Sequence, residues 1–181
     1  MDCKNQLITK NELIKICALS ENADDSRVNV SIQQAQNALR ALLCKDFFNE
    51  LIAEFNAETY TGLNETLVEN YIRPFLSWLA YEKYCLIGSQ SNTKAGFREH
   101  LDDDSQPVTD NRLKSIMKNA YEQSEFFKAD LLDYMYENEN SFPTWKSSGC
   151  YCITPTSTFK ITGAGTKKNE CTTERQFRCG C

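Results

Sequence analysis

The stretch Pro74-Phe75-Leu76-Ser77-Trp78-Leu79-Ala80-Tyr81-Glu82-Lys83-Tyr84-Cys85-Leu86-Ile87-Gly88 decides how this chain folds. Apart from Glu82 and Lys83, it is apolar in nearly every direction around a helix. A helix that is apolar on all sides is surrounded by protein, so we expect this one at the centre of a helical bundle. Gly88 suits the residue that ends a helix. Pro74 either kinks a longer helix or lies in the first turn of a new one.

Three further helices are predicted on the N-terminal side. Thr9 and Glu12 have the spacing of a capping box that opens the first. The second starts between Asp25 and Ser31, and Asp46 is the expected cap of the third. Their apolar positions follow helical spacing and are, in turn, Leu13, Ile14, Ile16, Cys17 and Leu19; Val28, Ile32, Ala35, Leu39 and Leu42; and Phe47, Phe48, Leu51, Ile52 and Phe55. After a loop over residues 56–64, a fourth helix begins near Glu65 and reaches the proline.

The longest predicted helix begins at a cap on Thr109 or Asp110 and runs to about Asn138. Its apolar residues repeat at alternating steps of four and three, as in a coiled-coil seam: Leu113, Met117, Ala120, Ser124, Phe127, Leu131 and Tyr134. At 1.5 Å per residue this helix is roughly 45 Å long. Residues 89–109, which precede it, are predicted to be irregular.

The chain changes character after Trp145. Residues 1–145 carry 14 Lys and Arg against 23 Asp and Glu, a net charge of −9, whereas residues 146–181 carry six basic and two acidic residues, a net charge of +4. Tyr151–Thr154 and Ser157–Thr162 are rich in β-branched and aromatic residues, which is typical of short strands. We therefore predict an all-α helical domain, residues 1–145, followed by an extended basic arm with short β-strands, residues 146–181.

The residues of known enzyme motifs are missing from the sequence. It contains one histidine, His100, and no phosphate-binding loop, dinucleotide fingerprint or nucleophile elbow. We therefore expect a protein that is not an enzyme and that needs no cofactor. The first six residues lack the apolar core of a secretory signal, and no stretch approaches the roughly 18 apolar residues of a membrane span. We expect synthesis in a cytoplasm, with Cys17, Cys44 and Cys85 reduced.

Five of the nine cysteines follow Trp145: Cys150, Cys152, Cys171, Cys179 and Cys181. Four thiolates would suit a tetrahedral zinc ion, although a C-x-C pair is tighter than the usual C-x(2–4)-C spacing. Disulfides formed after release into an oxidising medium, or free thiols, are the other two interpretations. A small zinc-binding or redox-sensing regulator is accordingly the alternative function that the sequence leaves open.

Several segments, in this order and over roughly residues 8–145, resemble the head–tail connector, or adaptor, proteins of tailed bacteriophages. The segments are Ile32-Gln33-Gln34-Ala35-Gln36, Leu42-Leu43, Phe47-Phe48-Asn49-Glu50-Leu51, Pro74-Phe75-Leu76-Ser77-Trp78-Leu79-Ala80-Tyr81, Gly96-Phe97, Ser105-Gln106-Pro107-Val108-Thr109-Asp110-Asn111-Arg112, Tyr134-Met135-Tyr136, Asn140 and Pro143-Thr144-Trp145. A phage of the crAss-like group is a possible source. The resemblance stops at Trp145, where the cysteine-rich extension departs from the pattern of the family.

The resemblance implies an all-helical subunit of a closed ring, typically a dodecamer, that binds the portal protein and other ring or tail proteins in the virion. DNA would pass through the lumen as cargo, and no membrane would be involved. Asp102, Asp103 and Asp104 form a solvated acidic loop, because they lack the spacing of a calcium loop, and would repel DNA from the lumen wall. Thr154–Thr162 would add a strand to the sheet edge of a partner. Phe159 and Ile161 would anchor that strand, with Thr154 and Thr162 at its ends, or would simply pack back on the helical domain.

Overall fold

The computed structural model describes residues 6–59, 62–88, 90–93, 96–99 and 110–149, and this part of the chain is mostly helical. The elements are α1 Lys10–Cys17, α2 Asp25–Leu43, α3 Lys45–Ala57, α4 Gly62–Thr66, a π-helix Leu67–Ile72, α5 Arg73–Gly88, β1 Gln90–Thr93, β2 Gly96–Glu99, α6 Asp110–Glu137, a 3-10 turn Glu139–Ser141 and α7 Pro143–Lys146. The predicted all-α fold is thereby confirmed. The predicted strands after Tyr151 lie outside the described residues.

Side chains next to the first two helices satisfy the backbone groups at their starts. The Thr9 N–H donates to the Glu12 carboxylate, which is the Glu12 half of the predicted capping box. Asp24 caps α2, since its Oδ1 accepts from the Arg27 N–H at 2.9 Å. Helix α2 therefore starts at Asp25, at the first residue of the predicted interval.

The junction between α2 and α3 differs from the prediction. Cys44 is both the C-cap of α2 and the N-cap of α3, with φ 61° and ψ 155°. A positive φ is uncommon outside glycine and breaks a helix in a single residue. Asp46 therefore lies in the first turn of α3 rather than at its cap, where its carboxylate still favours the positive end of the helix dipole.

Pro74 lies in the first turn of α5, which continues directly from the preceding π-helix, so the proline does not start a separate helix. The π-helix precedes it, and the Arg73 N–H donates to the Val68 carbonyl, five residues back. Proline has no N–H to continue an α-helical ladder and its ring clashes with the carbonyl four residues earlier. The wider turn of the π-helix before Pro74 accommodates both the missing N–H and the proline ring. The helix before it begins at Gly62, three residues ahead of the predicted start.

Helix α5 is central, because it packs against α1, α2 and α6. Its first two turns are enclosed, with Leu76, Ser77 and Ala80 fully buried. The prediction that the helix is surrounded along its whole length is wrong, since Leu86 in its last turn is 48% exposed. An apolar pattern therefore continues beyond the part of the helix that the rest of the described chain covers.

A small antiparallel hairpin follows α5. Gln90 pairs with Glu99 and Thr93 pairs with Gly96. The prediction of an irregular segment over residues 89–109 is therefore wrong for these eight residues. The two strand sequences, QSNT and GFRE, contain one β-branched and one aromatic residue between them, so β-propensity gave no signal.

Aromatic side chains hold the C-terminal end of the described domain, around α7, against the other helices. Phe142 meets the Phe47 ring edge-on at a centroid distance of 5.6 Å, and Trp145 meets Tyr136 in the same way at 5.2 Å. Both Phe142 and Trp145 are fully buried. Helix α7 is thus fastened to α3 and α6, and the hydrophobic core extends to Trp145. None of the described helices is both long enough and apolar enough to cross a lipid bilayer.

Candidate interaction surfaces

The site residues predicted from the sequence lie outside the described residues. They are Asp102, Asp103, Asp104, Cys150, Cys152, Thr154, Phe159, Ile161, Thr162, Cys179 and Cys181. Within the described ranges, no group of three or more His, Cys, Asp or Glu side chains is placed to hold a metal ion. The surfaces below were not singled out in the sequence.

The first surface is a groove of about 530 Å³ between α3, the start of α4 and the turn into α7; we call it the α3–α7 groove. Its lining is Phe47, Glu50, Glu54, Gly62, Leu63, Asn64, Ser141, Phe142 and Pro143. Glu50 and Glu54 are one helical turn apart, so their side chains share a face of α3. Phe47 and Phe142 form an apolar floor, and Leu63, 43% exposed, lies at the edge.

The two carboxylates of this groove differ in their contacts. Glu54 Oε2 accepts a hydrogen bond of 2.7 Å from Nδ2 of Asn64, which is itself buried. Glu50 has no hydrogen bond or ion pair with any side chain in the described ranges. The groove therefore combines apolar surface with negative charge that no described cation neutralises, which suits a ligand carrying both an apolar group and a positive one. The i, i+4 glutamates were visible in the sequence, but the elements that face them were not.

The second surface lies where α5 ends and α6 begins. Tyr71 stacks on Tyr134 at a centroid distance of 4.4 Å, which fixes the alignment of the two helices at one end. Leu86 lies 15 residues after that pair and Tyr121 lies 13 residues before it, so both are about 20 Å from it along antiparallel helices. They are 48% and 51% exposed. We call this end of the α5–α6 pair, with Tyr84, Leu86, Met117 and Tyr121, the distal surface.

Two thiols and a phenol lie together where α1 meets α5. Burial raises the pKa of the Cys17 thiol to about 12, and the neighbouring Cys85 adds to the rise. Burial also raises the pKa of Cys85, an effect that a hydrogen bond with Tyr81 partly offsets. Thiols with raised pKa values are protonated at neutral pH and react slowly. Both are free thiols, as predicted, and they behave as small apolar side chains.

Cys44 is the exception among the cysteines of the domain. It is disulfide-bonded, so the prediction of a reduced thiol is wrong at this position. Cys17 and Cys85, the other cysteines among the described residues, are free. Nothing in the spacing around Cys44 distinguishes it from them, although its position between two helices leaves it less buried than Cys17.

The solvent-facing side of α6 is segregated by charge. After Asp110, its first three turns carry Arg112, Lys114 and Lys118, and the remainder carries Glu122, Glu125, Asp130, Asp133 and Glu137 against a single Lys128. Phe126 lies within the acidic part and is 60% exposed. Asp110 at the start of the helix suits the helix dipole, whereas Glu137 at its end opposes it.

A family model described as a family of unknown function, DUF6712, matches residues 39–155. The match covers helices α3 to α7, and so both the groove and the distal surface. It continues ten residues beyond Trp145. Comparisons with curated proteins and with solved structures give no match.

Proposed function

Since the chain belongs to the DUF6712 family, whose function is unknown, we propose a role for it from its surfaces. It is a structural subunit of a ring that connects the head of a tailed phage to its tail. The ring lies below the portal, holds twelve copies, and leaves a channel through which DNA passes. It carries out no catalysis and binds no cofactor.

The observation that carries this proposal is the distal surface. The sequence of α5 is apolar on all sides, yet its last turns are only partly covered in the single chain, with Leu86 half exposed. Tyr121, at the same level on α6, is half exposed as well. Large apolar side chains that are half exposed at one end of a helix pair suit a contact with another protein, and aromatic residues are enriched at the centres of such contacts. A neighbouring copy in a closed ring covers this surface through a heterologous contact.

Two features of the body support the same role. Several segments that resemble connector proteins lie in the hydrophobic core: Leu42 and Leu43, Phe47, Phe48 and Leu51, and Trp145 are all buried. Helix α6, with 28 residues, is about 42 Å long and can span the height of a ring wall. In the assembled ring, the acidic loop Asp102–Asp104 faces the lumen, and Thr154–Thr162 reaches the portal or a neighbouring subunit.

The assembly state of the full-length protein tests this proposal. We expect a monomer or small oligomer in isolation and a twelvefold ring when the portal of the same particle is added, measured by mass photometry and cryo-electron microscopy. Tyr121→Asp should abolish the ring while leaving the far-ultraviolet circular dichroism spectrum unchanged. Phe126→Ser, which changes a more exposed aromatic side chain of α6, should leave ring formation intact.

Absence of any ring with the portal present would contradict the proposal, as would rings that form equally well with Tyr121→Asp. The alternative, a zinc-binding or redox-sensing regulator, predicts about one zinc ion per chain that is lost with Cys150→Ser and Cys179→Ser. Elemental analysis of the purified full-length protein separates the two.

A further inference from the structure

The α3–α7 groove carries two carboxylates, and no described cation neutralises them. Glu50 and Glu54 line one wall, Phe47 and Phe142 form the floor, and Leu63 stands at the edge. Its volume of about 530 Å³ would accommodate two or three side chains. An occupant that stabilises it needs an apolar side chain for the floor and a cation for the carboxylates.

The chain leaves the described domain beside this groove. Helix α7 starts at Pro143, which lines the groove, and is closed by hydrogen bonds from the Ser147 N–H to the Pro143 carbonyl and from the Ser148 N–H to the Trp145 carbonyl. Gly149, the last described residue, is six residues from Pro143, a separation of at most about 20 Å. The 32 residues that follow therefore start close to the groove.

Those residues carry the chemistry that the groove lacks. Residues 150–181 contain five basic and two acidic side chains, and Phe159-Lys160-Ile161 places a cation between two large apolar side chains. Ten residues separate Phe159 from Gly149, a reach of up to about 33 Å. Because the segment belongs to the same chain, its effective concentration at the groove is on the order of millimolar, which favours it over any separate partner.

The disulfide at Cys44 is compatible with a C-terminal partner, with Cys3 as the one other candidate. Cys44 precedes Phe47 of the groove floor by one helical turn. Its bonding partner is neither Cys17 nor Cys85, because both are free, and five of the six remaining cysteines lie after residue 149. A bond from Cys44 to one of these five would hold the C-terminal segment against α3.

We infer that the α3–α7 groove binds the C-terminal segment of its own chain in the free subunit, with Phe159 on the apolar floor and Lys160 between Glu50 and Glu54. The inference goes beyond the proposed ring and does not depend on its stoichiometry.

Zero-length carbodiimide crosslinking of the full-length monomer tests the inference. Equal amounts of protein labelled with nitrogen-14 and with nitrogen-15 are mixed and crosslinked, and the joined peptides are identified by mass spectrometry. We expect amide links from Lys160 to Glu50 or Glu54 within one chain, which carry a single isotope. Links between chains, or no link between these residues, would overturn the inference.

Limited trypsin digestion of full-length variants provides a second readout. Glu50→Gln keeps the shape of the groove and removes one charge, and we expect the initial cleavage rate after Lys160 to rise about three- to tenfold, the range for a partly desolvated ion pair. Asp130→Asn, on the outward face of α6, is the matched control and should leave that rate unchanged. Equal rates in Glu50→Gln and in the unaltered protein would argue against docking. Ring formation is measured separately, so failure of this inference is distinguishable from failure of the proposed function.

Discussion

Trp145 is the residue on which the end of the helical domain depends. It is fully buried and meets Tyr136 edge-on, although it lies in a helix of only four residues. A short helix has little stability of its own, so the side chain rather than the backbone holds this region in place.

Replacing Trp145 with Ala should lower the free energy of unfolding by about 3–5 kcal/mol, because the change removes a large buried side chain and leaves a cavity. Urea denaturation followed by far-ultraviolet circular dichroism measures the loss. Phe126→Ala is the control, since that ring is 60% exposed, and it should change stability by less than about 0.5 kcal/mol. Similar losses for both variants would show that Trp145 is not part of the core.

Asp24 makes the stability of α2 depend on pH. Hydrogen bonds from the Ser26 hydroxyl and the Arg27 N–H lower the pKa of its carboxyl. The folded state therefore binds the proton less tightly than the unfolded state. The cap stabilises the fold above the unfolded pKa of about 3.9, and this contribution is lost as the pH falls through the lower pKa of the folded state.

Asp24→Ala should accordingly lower the melting temperature at pH 7 by about 2–4 °C, and the difference should vanish near pH 2. Differential scanning calorimetry across this pH range measures it. Asp24→Asn keeps a capping oxygen that does not titrate, so it should retain most of the stability at pH 7. A deficit of Asp24→Ala that is the same at every pH would contradict the assignment.

At the scale of elements, α6 shows a charge order that works against its own stability. Its second half is acidic and ends at Glu137, which is exposed. Negative charge at the end of a helix opposes the dipole. A helix that keeps such an order at a cost in stability is consistent with one whose surface charges serve an intermolecular contact.

The variant Glu137→Lys should therefore be more stable, by about 0.3–1 kcal/mol at low salt. The gain should largely disappear in 0.5 M sodium chloride, because salt screens exposed charges. Thermal unfolding at the two salt concentrations measures this. Asn119→Glu, a change far from both ends, should bring no comparable gain. A Glu137→Lys variant that is less stable at low salt would refute the dipole argument.

The helices were predictable because each repeats apolar residues at helical spacing, and the same is true of the buried positions Ala120, Ser124 and Leu131 in the seam of α6. The start of α3 was not predictable, because Cys44 takes a positive φ that neither its identity nor its neighbours indicate. The hairpin after α5 was not predicted, because its strands contain few residues that favour β-structure. The α3–α7 groove was not predicted either, because it joins α3 to elements that are distant in sequence.

At the scale of the whole molecule, the Cys44 disulfide joins the α2–α3 junction to a cysteine outside the described residues. Reduction by dithiothreitol should lower the stability by about 2–4 kcal/mol, as expected for a bond that closes a long loop. Calorimetry with and without reductant measures the change. Cys44→Ser should abolish the effect of the reductant, whereas Cys85→Ser, which removes a free thiol, should preserve it. A melting temperature that is insensitive to reductant in the unaltered protein would contradict the bond.

The boundary at Trp145 was predicted from charge and composition, and the buried core does reach that residue. Its physical reason was not available from the sequence, because the aromatic contacts that secure it come from α3 and α6. The central position of α5 was predictable, because a helix that is apolar on nearly all sides must be surrounded by protein. The last turns of α5 are equally apolar, but the rest of the described chain does not cover them fully. This is the main reason for expecting a partner there.

The π-helix Leu67–Ile72 determines the rotational phase between the two halves of the chain. A π turn holds one residue more than the α turn it replaces, so removing one residue would leave an uninterrupted helix. Every residue upstream would then be turned by about 100° relative to α5, and Leu67 and Val68, both fully buried, would leave the core. Substitutions before or after this turn leave the rotation between the two halves unchanged, whereas an insertion or deletion within the turn changes it.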